Sequence, residues 1–464
     1  MSKLSPEHLR SLIQPDRVHR DVYTDPALFE LEMQQLFGKA WLVLGHDSQV
    51  KQPGDYFLTE MARQPVIVAR DQAGTVRVFH NRCTHRGAMV CHEPRGNVRQ
   101  FTCAYHGWTF ETSGELKWVP LRSGYEPQAD QRLASLALPQ VARVALYRGF
   151  IFASLAAQGP SLQDSLGHML SSFDDMVDRA PDGEVEVAGG VFKHAYHGNW
   201  KLVLENHLDG VHPNYVHASS VQAAREGPDP GMNAGGAAGS EPYHDIAIRQ
   251  MRQNGAPDPV WESIGVWTTT HGHGYLGDYH DDSRLVSGLD NPVHAEYHRL
   301  LTQRLGQEKA RKVLAVTRWN SVIYPNCSFM GQFRQLRIVH PLAVDRSVVY
   351  TYSFRLKGAP EQMFRDTVAF SNVVNGTASW VLTDDLEVYE RAQRGLAGGG
   401  TEWIYVGRGL GRDVPDSEQR LRGATGTSEV FIRNQFAAWL EYMTGESAGD
   451  SAGESTGNKA GDNA

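Results

Sequence analysis

The spacing of apolar and polar positions changes character several times along the chain. Within the first 40 residues, Leu28, Leu31, Met33, Leu36 and Phe37 recur at roughly helical spacing behind Asp25-Pro26. This predicts an N-terminal helical segment over 1–40. From 41 to 157 the apolar residues come instead in short alternating runs, such as PVIVAR at 65–70, TVRVFH at 75–80 and GFIFASL at 149–155, with Asp71, Gly74, Gly96 and Gly114 between such runs. That texture predicts a small domain of short β-strands. Helical spacing returns in SLQDSLGHMLSSFDDMVDRA, and the chain up to 446 mixes both periods. The runs 335–344 and 347–356 predict a hairpin turning at Asp345 and Arg346, and 359–374 and 428–443 predict helices. The expected fold class is α+β: a small all-β domain at 41–157 and a larger catalytic domain at 158–446 with antiparallel sheet and helices. The Gly/Ala/Pro-rich stretch 227–240 is expected to form a mobile loop or lid. Residues 447–464 carry nothing aliphatic larger than alanine and are expected to be a disordered tail.

Composition narrows the function. The 464 residues are 41% hydrophobic, enough for a sizeable core, and the 45 basic and 53 acidic residues leave a net charge of −8. That balance argues against a broad cationic face for nucleic acid. No apolar run approaches a bilayer span, and the N-terminus lacks the apolar stretch of an export signal, so a cytoplasmic protein without a membrane or nucleic-acid partner is expected. Four cysteines (Cys83, Cys91, Cys103 and Cys327) are too few for a disulfide framework, whereas twenty histidines, several of them clustered, suggest metal chemistry.

The strongest motif is Cys83-Thr-His85 followed, seventeen residues on, by Cys103-Ala-Tyr-His106. A single buried Cys or His is usually core packing. Four in a C-x-H…C-x-x-H array are better read as ligands. They suit one tetrahedral zinc or a [2Fe–2S] cluster of the Rieske type, with two thiolates on one iron and two imidazoles on the other. The second is strongly preferred, because each loop supplies one Cys and one His and is followed by a glycine, Gly87 or Gly107, that lets backbone amides approach the cluster sulfurs. Cys91 stands apart and reads as packing.

A second constellation, Asp209-x2-His212-x4-His217, follows the polar stretch Glu205-Asn206. The i,i+3 spacing places Asp209 and His212 on one helix face, and Pro213 interrupts the helix so that His217 turns back toward the same centre. Two histidines with one carboxylate leave open positions for non-haem Fe(II) oxygen chemistry. The acid is sought in Asp384-Asp385, which alone would read as a solvated turn or cap. Asp209 and Asn206 are the candidate catalytic residues beside the ligands.

Together, CTHRG…CAYHGW, NWKLVLENHLDGVHPNYVH and TDDLEVYERAQ resemble the large (alpha) subunit of Rieske non-haem iron aromatic-ring-hydroxylating dioxygenases, from Val22 to about Met443, with closest similarity to the benzoate/toluate/anthranilate group. The resemblance implies a helix-grip-like catalytic domain. It implies that Cys83, His85, Cys103 and His106 bind the [2Fe–2S] cluster and that His212, His217 and Asp385 bind the mononuclear iron. Asp209 would bridge to His106 across a subunit boundary, which implies an α3 or α3β3 oligomer with a small beta subunit. No G-x-G-x-x-G or flavin signature is present, so NADH electrons would come from a separate reductase, with or without a ferredoxin. The activity implied is addition of O2 to an aromatic ring to give a cis-dihydrodiol, with an aromatic carboxylate such as a benzoate as expected substrate. A Rieske monooxygenase or demethylase, or a dioxygenase of aniline-like or sulfonated arenes, is the alternative. An arginine or amide facing the iron would favour an acid; Arg334 and Arg337 are the arginine candidates, and either could equally be an ordinary strand residue.

Overall fold

The computed structural model describes residues 4–126, 128–227, 243–277, 291–376, 378–416 and 420–445. Most of the expected lid, 228–240, and the expected tail, 447–464, lie outside the described residues. The fold is α+β, with antiparallel sheets.

The segment 41–157 folds as short strands, as its alternation predicts. Val76–His80, Gln64–Arg70, Asp55–Met61 and Arg95–Asn97 form one sheet in that order, and Leu116–Trp118, Thr109–Glu111 and Gln100–Thr102 form a second. Their buried faces enclose a core of Ile67, Phe79, Phe101 and Phe110. Cys91 is buried in this core, where its backbone pairs with the Asn81 side chain and burial pushes its thiol up to about 12. These features fit packing.

The catalytic part is organised by an antiparallel sheet that, among the described residues, has nine strands. The hairpin Gln335–Ala343 and Arg346–Leu356 supplies its third and second strands from one edge. The hairpin turns at Val344 and Asp345, one residue earlier than expected, because Ala343 pairs with Arg346. Period-2 alternation then sorts the side chains. Leu336, Ile338, Tyr352 and Phe354 enter one core, while Gln335, Arg337, Thr351 and Val349 point to the other face. Helices Trp200–Asn206, Glu361–Asn375 and Leu382–Ala397 pack over that second face.

The N-terminal segment is only partly helical. Pro6–Ser11 and Pro26–Leu31 are α-helices, but two short strands separate them and Glu32–Leu36 widens into a π-turn. Helical spacing alone could not show why the segment docks. Glu32 has no exposed surface. Its carboxylate pairs with Lys201 and accepts from Trp200 Nε1 at 2.8 Å and Trp439 Nε1 at 2.7 Å. Lys201 Nζ also donates to Val22 O at 2.8 Å. One buried acid thus joins the N-terminal segment, the first site helix and the C-terminal helix Val430–Thr444. Glu32→Ala leaves Lys201 buried without its counter-charge. Thermal or denaturant unfolding should show a loss of about 3–5 kcal/mol, and a loss below about 1 kcal/mol would mean that the pair does not anchor the segment.

Candidate functional site

The two cysteine–histidine loops close in the same way. Cys83 N–H donates to Ala88 O at 2.7 Å and Gly87 N–H to Cys83 O at 3.0 Å; Cys103 N–H donates to Trp108 O at 2.8 Å and Gly107 N–H to Cys103 O at 2.9 Å. Gly87 and Gly107 have φ of +76° and +68°, the left-handed region that glycine enters without strain. A Cβ on Gly107 would also come within 3.0 Å of Pro120 Cγ. Cys83 and Cys103 are buried neighbours. Burial raises the Cys83 thiol, with the backbone amides of His85 and Arg86 at its sulfur pulling the other way. The His85 and His106 rings meet edge-on at 4.7 Å, and Trp108 stacks flat on His85 at 4.8 Å. His85 Nδ1 is buried without a hydrogen-bond partner, which fits a metal-ligand atom. Paired thiolates and separately paired imidazoles suit a two-iron cluster.

The second centre is tighter. His212, His217 and Asp385 bring one donor atom each within 4.8 Å of the others. His212 Nε2 and His217 Nε2 lie 3.9 and 3.5 Å from the same oxygen, Asp385 Oδ1. Asn199 caps the helix Trp200–Asn206 through Lys201 N–H, and its amide fixes the helix start by donating to Tyr23 O and Val344 O. That places Asn206 where its Nδ2 donates to Asp385 Oδ1 at 3.3 Å, so Asn206 acts as a positioning residue for the carboxylate.

Asp209 is not on a helix with His212, contrary to the spacing argument. It lies in the turn between Trp200–Asn206 and His212–Val216, and Pro213 sits in the first turn of the second helix, where its missing N–H costs nothing, rather than interrupting a longer one. His217 follows at the junction with Ala218–Glu226. The ligands still converge because the chain reverses between two short helices.

Each histidine is oriented from behind by an acid. Asp209 Oδ2 lies 3.7 Å from His212 Nδ1, an ion-pair distance rather than a direct hydrogen bond, while its Oδ1 accepts from Val211 N–H at 2.6 Å. Burial opposes the Asp209 charge, but His212 and the amides of Val211 and His212 outweigh it and hold the pKa below the usual carboxylate range. Asp384 Oδ2 lies 3.3 Å from His217 Nδ1. Asp384 and Asp385 share the first turn of Leu382–Ala397, where helix geometry turns neighbours about 100° apart and the positive helix end favours acids. One therefore supports His217 while the other faces both Nε2 atoms. Burial pushes Asp385 up against the pull of His212 and His217. A buried carboxylate so placed suits a bound cation, and the two-histidine–one-carboxylate donor set suits iron(II).

The three donors line a cavity whose walls include Trp319, Met330, Phe333, Val349, Phe370 and Val374. Of the two arginine candidates, Arg337 lines this cavity. Arg334 instead donates from Nε to Thr367 Oγ1 at 2.6 Å and is absent from the lining.

Residues 40–137 match the model of the Rieske [2Fe-2S] domain, and 184–429 match that of the ring hydroxylating alpha subunit catalytic domain. The chain is 33% identical to toluate 1,2-dioxygenase subunit alpha of Pseudomonas putida, over 94% of each chain. It is 32% identical to the 2-halobenzoate 1,2-dioxygenase large subunit of Burkholderia cepacia, over 92% of this chain and 89% of that one. The solved naphthalene 1,2-dioxygenase from Rhodococcus sp. superimposes with a TM-score of 0.76 at 26% identity, covering 96% and 100%. The chain belongs to the ring-hydroxylating dioxygenase alpha-subunit family. It is an oxidoreductase with a Rieske [2Fe–2S] domain and a catalytic domain with a mononuclear iron site. Among the described residues no helix is long and apolar enough to cross a membrane.

Sequence reasoning missed two features of this dioxygenase site. It weighed Asp384 only as the alternative to Asp385 for the ligand carboxylate and not as a support for His217, although the 100° step between neighbours in a helix already implies a second direction for it. It also passed over His207, which sits inside the motif and lines the cavity. Iron content after chelator dialysis tests the geometry. Asp385→Ala should lose the mononuclear iron, whereas Asp384→Ala should keep it with affinity reduced about tenfold, and both should retain the red-brown cluster absorbance. If Asp384→Ala is the variant that empties the site, the ligand is one residue away.

Proposed function

We propose that this chain is the terminal oxygenase of a multicomponent system, with an aromatic carboxylate as substrate and a cis-dihydrodiol as product. Cys83, His85, Cys103 and His106 hold the cluster, and His212, His217 and Asp385 hold the mononuclear iron. The observation that carries this reading is the convergence of two imidazoles and one carboxylate at the edge of a largely apolar, ring-lined cavity. The acid substrate is suggested by relatives named for toluate and 2-halobenzoate and by Arg337 in the lining.

The cluster would supply electrons and the iron would activate dioxygen; the chain's own residues do the rest. Phe333 and Phe370, stacked at 4.6 Å, and Val374 form an apolar wall against which a ring packs and from which water is excluded. Asn206 holds Asp385, and Asp384 holds the His217 ring, so the donor set keeps its shape with substrate bound.

Electrons come from NADH through a separate reductase, with or without a ferredoxin, which places the protein in the cytoplasm. The active assembly is an α3 or α3β3 oligomer in which Asp209 bridges to His106 of a neighbouring copy. Asp209 is suited to this, because its side chain is 36% exposed, and Tyr105 next to His106 is also largely uncovered. Asp209→Ala should leave both iron centres loaded yet remove most product formed in a single turnover of the pre-reduced oxygenase. An undiminished single-turnover yield would refute the bridge. Gel filtration of wild type at the mass of one chain would count equally against it.

A further inference from the structure

The cavity has a second polar pole that holding the iron does not use. Arg337 enters it from an interior strand of the sheet and is only 7% exposed. Its partners in register, Ser328 and Thr351, carry no charge. No carboxylate of the described residues pairs with it within 4.0 Å. Its polar contacts are Nη1 to Asn320 Oδ1 at 3.5 Å and Nη2 to Gln335 Oε1 at 3.4 Å. Both are long beside the usual ~2.8 Å of a charge-assisted bond. Gln335 Oε1 is shared with Asn375 Nδ2, also at 3.4 Å. After burial, the groups that most influence Arg337 are the Tyr389 phenol and then the Asp385 carboxylate, and that carboxylate already faces the two histidines. Burial brings the guanidinium pKa down to about 10, so it stays cationic at neutral pH.

Keeping an unpaired guanidinium inside a protein costs several kcal/mol. The cavity offers a place to recover that cost, since its open side is where a ligand sits. His207 borders the same cavity, and its Nδ1 is buried without a hydrogen-bond partner. Burial, with Arg337 and His212 nearby, keeps its pKa well below the ordinary value, so the ring is a neutral donor or acceptor. The same lining includes Phe333 and Phe370, stacked face to face at 4.6 Å, which present a flat apolar surface. The lining is therefore matched to a molecule with an aromatic body and one anionic end.

We propose that Arg337 is the carboxylate anchor of this cavity, with Asn320 and Gln335 orienting its guanidinium and His207 as the second, uncharged hydrogen-bonding group of the same subsite. Anchoring the acid there sets which ring edge faces His212, His217 and Asp385, and so makes Arg337 a determinant both of substrate class and of the ring carbons attacked. This deepens the reading of the cavity as the ring-hydroxylation site and rests on it.

The test is anaerobic calorimetric binding to the full iron-loaded oxygenase, with no reductase present, using benzoate and its neutral isostere benzamide. Wild type should bind benzoate at least about tenfold more tightly than benzamide. Arg337→Met should lose about 10–100-fold in benzoate affinity while benzamide affinity is unchanged or improved. Arg337→Lys should restore part of the preference, and His207→Phe should weaken benzoate by a smaller factor. Cluster absorbance and iron content identify any variant that fails to assemble, and in that case the wild-type comparison still decides. Equal binding of benzoate and benzamide by wild type, or a preference that survives Arg337→Met, would overturn the anchor while leaving a ring-binding cavity in place. If neither compound binds, and toluene and 2-aminobenzoate are likewise neither bound nor hydroxylated with a reductase added, the reading of the cavity itself is wrong.

Discussion

Three donor atoms from two separate stretches of chain must meet within the reach of one ion, inside the protein, and stay there as substrate and oxygen come and go. The rest of the catalytic domain can be understood from that constraint. His212 and His217 come from a chain reversal between short helices, and Asp385 from the first turn of a helix some 170 residues later. None of the three is held by its own backbone alone. Asn206 donates to the carboxylate, and Asp209 and Asp384 stand behind the imidazoles. Fixing ring orientation in this way preserves ligand geometry and raises ligand basicity.

The fold supplies this precision through two rigid supports. One is the antiparallel hairpin 335–356, whose alternation sends Leu336, Ile338, Tyr352 and Phe354 into one core and Arg337, Val349 and Thr351 toward the cavity. The other is the buried cluster around Glu32, which ties the N-terminal segment and the C-terminal helix to the helix bearing Asn206. The cluster domain is built more locally. The four candidate ligands sit on two short loops with matching closures, so their arrangement depends little on distant chain.

This contrast explains what could be read in the sequence. Cys83, His85, Cys103 and His106 could be singled out as candidate ligands because both loops are short and the residue types are chemically unusual together. His212 and His217 were legible for the same reason, but the path between them was not: Asp209 looked helical by spacing, yet the chain turns there because the next helix begins at His212. Asp385 could be chosen over Asp384 only by resemblance, because adjacent acids look alike until a helix gives them different directions. Glu32 gave no signal at all. A glutamate among apolar residues reads as a solvated helix position, and only the arrival of Trp200, Lys201 and Trp439 from distant segments makes it a core residue. Arg337 was ambiguous for a related reason. A strand arginine can face water or a cavity, and that depends on what covers the sheet.

The central claim is that one polypeptide carries two chemically different iron centres. Mössbauer spectroscopy of the reduced, iron-57-enriched oxygenase tests it most directly. The account predicts about three irons per chain, two of them in a coupled pair with distinct thiolate-bound and imidazole-bound sites, and the third a separate high-spin ferrous ion that disappears in His217→Ala while the pair persists. A spectrum with only one kind of iron, or a third signal untouched by that substitution, would contradict it.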